Sequence, residues 1–313
     1  MSSKFFLRNY EWGNGVEAAR ELLLSGKHRH DVLEMVLRSI EADETIETVG
    51  YGGYPNLLGE MELDAAFMDG NGRMLGAVAA IKHFVHPSSV ARRLMESGLH
   101  TMLCGEGAES FAREHGFEPA ETLSPLVKER WQNIVSPSIE KQKKATSLET
   151  VRQLKWPDLS GVQCSKKDTA VMIASDGNGL SVATSTSGWA AKHPGRVGDS
   201  PICGAGFYVD SKYGACICTH TGEVAMRAGT ARNVVAQLAS GKSVQDAVSL
   251  AVEDLSSLRG GHLGGLVIHA VDSFGEARVV GVNVEPSVKY WYWHEKLEAP
   301  RCIAAEAIAL QAR

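Results

Sequence analysis

The chain has 313 residues and a mass of 33.7 kDa, a length that fits one large α/β domain or two smaller ones. Hydrophobic residues make up 44% and charged residues 22%, a balance that excludes a mainly disordered chain. The net charge of −5 argues against a nucleic acid or an anionic membrane as the main partner, because both attract a basic surface.

The N-terminal apolar run, residues 5–7, is shorter than the core of a signal peptide. No uncharged apolar stretch reaches the ~18 residues of a membrane span. The six cysteines form no C-x-x-C pair and no zinc-ligand spacing. We therefore expect buried, reduced thiols and a cytoplasmic protein, with Cys216 and Cys218 pointing the same way from a strand.

Apolar residues at helical spacing predict two helices near the N-terminus, over residues 16–25 and 31–42. The same periodicity predicts further helices over residues 89–97, 108–115, 226–239 and 244–258. The interval 118–167 contains two Ser-Pro pairs and a short basic run at 141–144, which favours an exposed, partly helical connector over a nucleic-acid site.

Four hairpins are predicted where two β-prone runs flank a turn rich in Asp, Asn, Ser and Gly. They cover residues 63–81, 170–184, 206–219 and 266–282. Strand pairs followed by helix pairs, twice along the chain, predict helices that cover both faces of stacked antiparallel sheets. An aromatic-rich run at 288–293 is expected to cover a sheet or to pack at a subunit interface.

Polar residues and glycine-rich turns cluster after the predicted strands, at 184–188, 193–201 and 219–223. They include an arginine, which can clamp a carboxylate with two hydrogen bonds, and an aspartate, which can hold an amine. No Gly-x-Ser-x-Gly elbow is present, so a serine triad is not favoured. The pattern predicts a polar cleft at a sheet edge.

Thr169 follows Asp168 at the head of a predicted strand. A threonine hydroxyl is a weak nucleophile unless a base lies beside it. If the peptide bond before Thr169 were cut, its own α-amino group, with a pKa of ~7.7 to 8, would be that base. A threonine that simply begins a strand is the alternative interpretation of these residues alone.

Longer motifs narrow the choice between these two interpretations of Thr169. They are Thr48-Val49-Gly50-Tyr51-Gly52-Gly53-Tyr54-Pro55, Glu62-Leu63-Asp64-Ala65, Met68-Asp69-Gly70, Gly76-Ala77-Val78, Val90-Ala91-Arg92, His100-Thr101-Met102-Leu103, Gly105-Glu106-Gly107-Ala108, Asp168-Thr169, Thr184-Ser185-Thr186, Gly195-Arg196-Val197-Gly198-Asp199-Ser200-Pro201-Ile202 and Gly204-Ala205-Gly206. In this order the chain resembles, over nearly its whole length, the glycosylasparaginase and isoaspartyl peptidase/plant-type asparaginase family of N-terminal-nucleophile hydrolases.

The resemblance implies an α+β fold, the αββα four-layer sandwich, made as one domain over residues 1–313. It also implies autocleavage between Asp168 and Thr169, leaving an α chain (1–168) and a β chain (169–313). Asp168 would assist this cut. Thr169 would then attack the side-chain amide of an asparagine-type substrate and form a β-aspartyl ester, its α-amino group carrying the proton.

Further site residues are implied by the same resemblance. Thr186 matches a threonine that hydrogen-bonds around the nucleophile, while Thr219 and the backbone N–H of His220 match the oxyanion hole. The substrate-binding positions that match are Arg196 for the α-carboxylate, Asp199 with the Gly222 backbone for the α-amino group, and Trp12 for the cleft wall.

Three features depart from the family pattern. Lys167 stands where histidine is usual, Ala170-Val171-Met172 follows Thr169 where a glycine is usual, and His220 stands where glycine is usual. Glycosylasparaginase is the leading interpretation, and an isoaspartyl peptidase/L-asparaginase with the same mechanism is the alternative. An uncleaved, non-catalytic homologue that binds an aspartyl ligand is the alternative of another class. The resemblance implies a small-molecule substrate, no cofactor and a homodimer of cleaved units. A monovalent cation stays open by analogy with the isoaspartyl peptidase branch, but no metal-binding residue is assigned. No nucleic-acid or membrane partner is expected, in keeping with the net charge.

Overall fold

A computed structural model describes residues 3–9, 13, 15–134, 169–261, 263–284 and 288–310. Trp12, Lys167, Asp168 and the basic run at 141–144 lie outside the described residues. The connector predicted over 118–167 is described as far as residue 134.

The larger sheet has eight strands, and the strand that follows Thr169 lies in its interior. From edge to edge they are β12 (Arg301–Ala304), β11 (Lys289–His294), β1 (Lys4–Asn9), β5 (Ala170–Asp176), β6 (Leu180–Thr186), β2 (Leu63–Asp69), β3 (Met74–Ile81) and β4 (Met102–Cys104). Neighbours pair antiparallel except at the β3–β4 edge, where the pairing is parallel.

The smaller sheet has five strands. In spatial order they are β13 (Glu306–Ile308), β10 (Ala277–Val282), β9 (Leu266–Asp272), β8 (Gly214–His220) and β7 (Phe207–Asp210). Its pairing is antiparallel except between β10 and β13. The four predicted hairpins are therefore confirmed as β2–β3, β5–β6, β7–β8 and β9–β10.

The described helices are α1 (Val16–Leu24), α2 (Arg29–Glu41), α3 (Pro87–Ser97), α4 (Gly105–Glu114), α5 (Pro125–Ile134), α6 (Gly222–Ala228), α7 (Thr230–Ala239) and α8 (Val244–Leu255). Apolar faces of α1 to α4 share one core with the large sheet, and those of α6 to α8 share another with the small sheet. None of the described helices is long and apolar enough to cross a membrane.

Alternation along the strands builds the layers. On β1, Phe6 faces the helices while Phe5 and Leu7 lie in the core between the two sheets. On β8, Cys216 and Cys218 both face α7 and α8, as their spacing predicts. Helices outside and two sheets inside confirm the predicted αββα four-layer sandwich.

Three expectations are corrected. The helix predicted over 226–239 is two helices, because Gly229 adopts a left-handed φ of +58° between α6 and α7. The aromatic run does not cover the sheet, since it forms β11 and pairs with β1 and β12. Cys104, Cys203 and Cys302 are exposed, so burial of the thiols is confirmed only for Cys216 and Cys218 among the described cysteines.

Candidate active site

A narrow cleft opens where β5 begins, beside the ends of β6 and β8. Its walls are Thr169, Thr186, Gly188, Trp189, Arg196, Gly198, Asp199, Ser200 and His220. The space between these walls is about 270 Å³, part of it open to solvent.

Thr169 lies immediately before β5 and is 6% exposed. The Asn9 side-chain amide donates to the Thr169 carbonyl at 2.8 Å, and the Asn9 amide oxygen accepts the Val171 N–H at 3.1 Å. Asn9, at the end of β1, thus hydrogen-bonds the backbone on both sides of Ala170. These two bonds fix the backbone that carries the Thr169 side chain in the cleft.

A serine hydroxyl lies next to the predicted nucleophile. Ser200 Oγ is 3.3 Å from Thr169 Oγ1. The Ser200 carbonyl accepts the Thr184 hydroxyl at 2.7 Å, which ties the loop after β6 back onto that strand. Ser200 is therefore held at the nucleophile by a buried anchor.

Thr186 ends β6, and the strand register places it close to Thr169. Its hydroxyl accepts the Gly188 N–H at 3.0 Å and is 3.5 Å from the Thr48 carbonyl. Ser187 also binds the Thr48 carbonyl, through its N–H at 3.0 Å and its hydroxyl at 2.9 Å. The glycine-rich turn after Thr48 is thereby joined to the cleft wall.

Asp199 is a buried carboxylate at the cleft floor. Burial raises its pKa to about 7. Within the described part of the chain, its Oδ2 atom has no hydrogen-bond partner. A buried acceptor without a protein partner is costly unless a ligand or a water molecule supplies the donor.

Gly222 allows the close approach of two chain segments at this carboxylate. A Cβ at this position would lie 2.6 Å from Asp199 Oδ1 and 2.7 Å from the Asp199 backbone nitrogen. Only a residue without a side chain leaves Asp199 in its observed place.

Arg196 is held from two sides. Its Nε and Nη2 donate to Glu223 at 2.8–3.0 Å, and its guanidinium lies 4.4 Å from the centre of a Trp189 ring. The remaining Nη1 lies beside two glycines of the cleft wall, since a Cβ on Gly198 would be 3.0 Å from it and one on Gly188 3.5 Å.

Thr219 and His220 end β8 on the other sheet. The His220 backbone has a φ of +84°, the left-handed region that favours glycine. Its Nδ1 lies 3.1 Å from Thr219 Oγ1. The structure thus keeps the backbone shape of a glycine turn while placing an imidazole in the cleft.

A buried charged layer lies behind the cleft. Lys192 is 1% exposed and its Nζ donates to the Glu62 carbonyl at 2.9 Å, while the Glu62 carboxylate accepts the Gly195 N–H at 3.1 Å. Burial lowers the pKa of Lys192 and raises that of Asp64, although each charge opposes the shift of the other. This layer supports the loop that carries Arg196 and Asp199.

The structure brings most of the predicted residues to one place. Thr169, Thr186, Arg196, Asp199 and His220 line the cleft, with Thr219 against His220 and Gly222 against Asp199. Trp12 and Asp168 lie outside the described residues. Sequence reasoning missed the contacts of four further residues, Asn9, Ser200, Glu223 and Lys192.

Comparison with known proteins extends this geometry. A sequence model of the asparaginase family matches residues 10–302. An N(4)-(beta-N-acetylglucosaminyl)-L-asparaginase from Elizabethkingia miricola is 38% identical over 77% of this chain and 67% of its own length. An isoaspartyl peptidase/L-asparaginase from Mus musculus is 36% identical over 79% and 71%, and an isoaspartyl peptidase from Escherichia coli (strain K12) is 34% identical over 88% and 82%.

The matched residues include the β5–β6 hairpin next to Thr169, the loop that carries Arg196 and Asp199, and the end of β8 with Thr219 and His220. Since the match also spans more than half of the chain, the protein belongs to the asparaginase family.

Proposed function

We propose that the protein is a self-cleaving amidohydrolase that uses Thr169 to hydrolyse the side-chain amide of N4-substituted asparagine. The observation that carries the proposal is the buried Oδ2 of Asp199, which has no partner among the described residues and lies in the same cleft as Thr169. The names of the relatives support asparagine-type amides as the substrate class.

The two charged groups of the cleft suit the two ends of an α-amino acid. The substrate ammonium would supply the donor that Asp199 Oδ2 lacks and would favour the ionised carboxylate. The substrate carboxylate would bind Arg196 Nη1, the guanidinium nitrogen that does not bind Glu223. The amide carbonyl would then point toward Thr169.

The chemistry follows from a free N-terminus at Thr169. Its α-amino group takes the hydroxyl proton as Oγ1 attacks the amide carbon. The Thr219 hydroxyl and the His220 N–H stabilise the oxyanion. The amine leaves with the proton from the α-ammonium group, and water hydrolyses the β-aspartyl ester to release aspartate and restore Thr169.

Cleavage between Asp168 and Thr169 is part of the proposal, because an internal threonine has no α-amino group to act as base. An α chain of 1–168 and a β chain of 169–313 would remain together in one sandwich, since β5 and β6 are interior strands of a sheet that also contains β1 to β4. The described cysteines are free, which supports a reducing compartment such as the cytoplasm.

The proposal also includes a homodimer of cleaved units, and light scattering tests it.

An isoaspartyl peptidase/L-asparaginase is the second candidate. The mouse and E. coli relatives with these names match at identities close to that of the glycosylasparaginase. Both candidates share the ammonium and carboxylate sites and differ in the leaving group. Parallel assays on N4-(β-N-acetylglucosaminyl)-L-asparagine, a β-aspartyl dipeptide and L-asparagine rank the three leaving groups.

The test of the proposal compares wild-type protein with Thr169→Ala and Thr169→Ser by intact mass and denaturing gel. Wild type should yield fragments of roughly 18 and 16 kDa, in proportion to the residues on each side of the cut, with threonine as the new N-terminus. Thr169→Ala should stay at 33.7 kDa and hydrolyse none of the substrates, whereas Thr169→Ser keeps a hydroxyl and cuts more slowly.

Persistent uncut wild-type protein that hydrolyses none of the three substrates would contradict the proposal. The chain would then be a homologue that binds an aspartyl ligand without turning it over.

A further inference from the structure

The proposed hydrolysis uses only the backbone N–H of His220 and gives its imidazole no part. It nevertheless lines the cleft with Thr169, and its Nδ1 lies 3.1 Å from Thr219 Oγ1. Its backbone is held at a φ of +84°, where glycine would fit without strain. Backbone strain of this kind clusters at active sites, where it can be part of the mechanism.

The direction of one hydrogen bond decides what the Thr219 hydroxyl can do. A hydroxyl has one proton to donate and two lone pairs. If His220 Nδ1 is unprotonated, it accepts the Thr219 proton and removes it from the oxyanion. If Nδ1 carries a proton, it donates to Thr219 Oγ1 and leaves the hydroxyl proton for the oxyanion.

We propose that His220 is a positioning residue, whose Nδ1–H donates to Thr219 Oγ1 and turns the Thr219 hydroxyl toward the reacting carbonyl. This inference deepens the proposed function and rests on it for its kinetic part. The proton arrangement itself is a property of the folded protein and can be measured without any substrate.

The residues around the two side chains define the setting of this hydrogen bond. Trp189 Nε1 lies 3.5 Å from the His220 carbonyl and limits movement of the residue at its backbone. Among the described residues that line the cleft, the charged groups are Arg196 and Asp199, with Glu223 paired to Arg196. His269, buried on β9, has its pKa lowered to about 3 by burial first and by His220 second, so it stays neutral and presents no charge to the imidazole.

The first arm of the test reads the proton directly. Protein labelled with ¹⁵N-histidine, in the cleaved form, gives long-range ¹H–¹⁵N correlations that distinguish a protonated Nδ1 from a protonated Nε2. The spectrum of His220→Asn identifies the His220 signals by their loss. We expect Nδ1 to carry a proton at pH 7.5. An Nε2–H tautomer with bare Nδ1 would overturn the proposal whatever substrate the enzyme uses.

The second arm compares three variants that accept a positive φ differently from histidine. His220→Gly relieves the backbone strain but removes the donor, so the denaturant midpoint should rise while kcat falls at least about tenfold. His220→Asn tolerates this φ and can donate through its amide, so it should retain more of the kcat than His220→Gly. His220→Asp can only accept the Thr219 proton and should lose the most.

KM should change little across the three variants, because the oxyanion forms only in the transition state. A His220→Gly enzyme with wild-type kcat, or equal losses in all three variants, would overturn the proposal. Failure of wild type to hydrolyse any of the three amides would instead contradict the proposed function and leave the tautomer result to decide this inference by itself.

Discussion

Two buried polar clusters lie at opposite ends of the β5–β6 hairpin, about 20 Å apart along the strands. At the far end, Arg29 joins the carboxylates of Asp69 and Asp176 and the Ser181 hydroxyl. At the near end, Asp199 lies in the cleft with one carboxylate oxygen unsatisfied in the described structure. In the cluster around Arg29 the carboxylates are paired with protein groups, whereas in the cleft one oxygen of Asp199 has no partner among the described residues.

The pKa values of the carboxylates show the difference. Burial acts to raise the pKa of Asp69, but hydrogen bonds from His30 and Arg29 outweigh it and hold that pKa well below its usual range. Burial is likewise outweighed at Asp176, where the Asn178 N–H and the Arg29 charge lower the pKa. At Asp199 burial dominates and raises the pKa to about 7. The cluster around Arg29 stabilises the fold, whereas the buried Asp199 lowers its stability and provides a binding site.

The largest expected effect on stability comes from removing the cation of the cluster around Arg29. Arg29→Met leaves the buried Asp176 and the partly buried Asp69 without their cation and should lower the free energy of unfolding by about 3–5 kcal/mol. Urea unfolding followed by circular dichroism measures the change. Lys82→Met is the matched control, because its 2.7 Å bridge to Glu60 is exposed and should contribute less than about 1 kcal/mol. A loss no larger than that of the control would mean that Arg29 is not needed to hold the hairpin end.

Asp199→Asn tests the carboxylate of the cleft from the opposite direction. Removing a buried charge should raise the free energy of unfolding at pH 8 by roughly 1–3 kcal/mol, while kcat/KM falls at least about 100-fold. The sign depends on pH. Because the folded-state pKa lies above the unfolded value, wild type loses stability as pH rises from about 4 to 7.

The stability gap between Asp199→Asn and wild type should therefore be absent near pH 4 and complete above pH 7. Urea unfolding at pH 5 and pH 8 measures it, and a gap that is equal at both pH values would contradict the raised pKa. Asp69 and Asp176 behave in the opposite sense, since their lowered pKa values add stability that disappears as pH falls below about 4.

The smallest expected effect is on ligand affinity. An α-ammonium group binds the ionised form of Asp199, so the Kd of the product L-aspartate should rise up to about tenfold for each pH unit below 7. Calorimetric titration of cleaved wild-type protein from pH 5.5 to 8 measures this slope. Asp199→Asn should show weak binding without it. A flat Kd in wild type over this range would place the substrate amine elsewhere.

Much of the fold is local and was predictable. The four hairpins follow from turn residues between β-prone runs, and the helices follow from apolar spacing. β1 was missed because six residues without a neighbouring turn signal do not identify a strand, although pairing with β5 and β11 places it inside the sheet. Gly229 was a visible signal for the break between α6 and α7.

The candidate site divides in the same way. Arg196, Asp199 and Thr169 were predictable from short motifs, together with the resemblance that those motifs carry. The residues that hydrogen-bond to them were not predictable from the sequence. Asn9 lies 160 residues from Thr169 in the chain, and Glu223 lies 27 residues from Arg196. No local pattern encodes such pairs, because they depend on which strands become neighbours.

The sequence by itself determined the family, the layered class of fold and the chemical groups of the cleft, because periodicity, turn residues and motifs are written over a few neighbouring positions. Only the tertiary structure decided which buried carboxylates are paired, which one is left open, and that His220 keeps a glycine-like turn with its imidazole against Thr219. The physical reason is that burial and hydrogen-bond satisfaction belong to a packed environment assembled from distant segments, and not to any one of them.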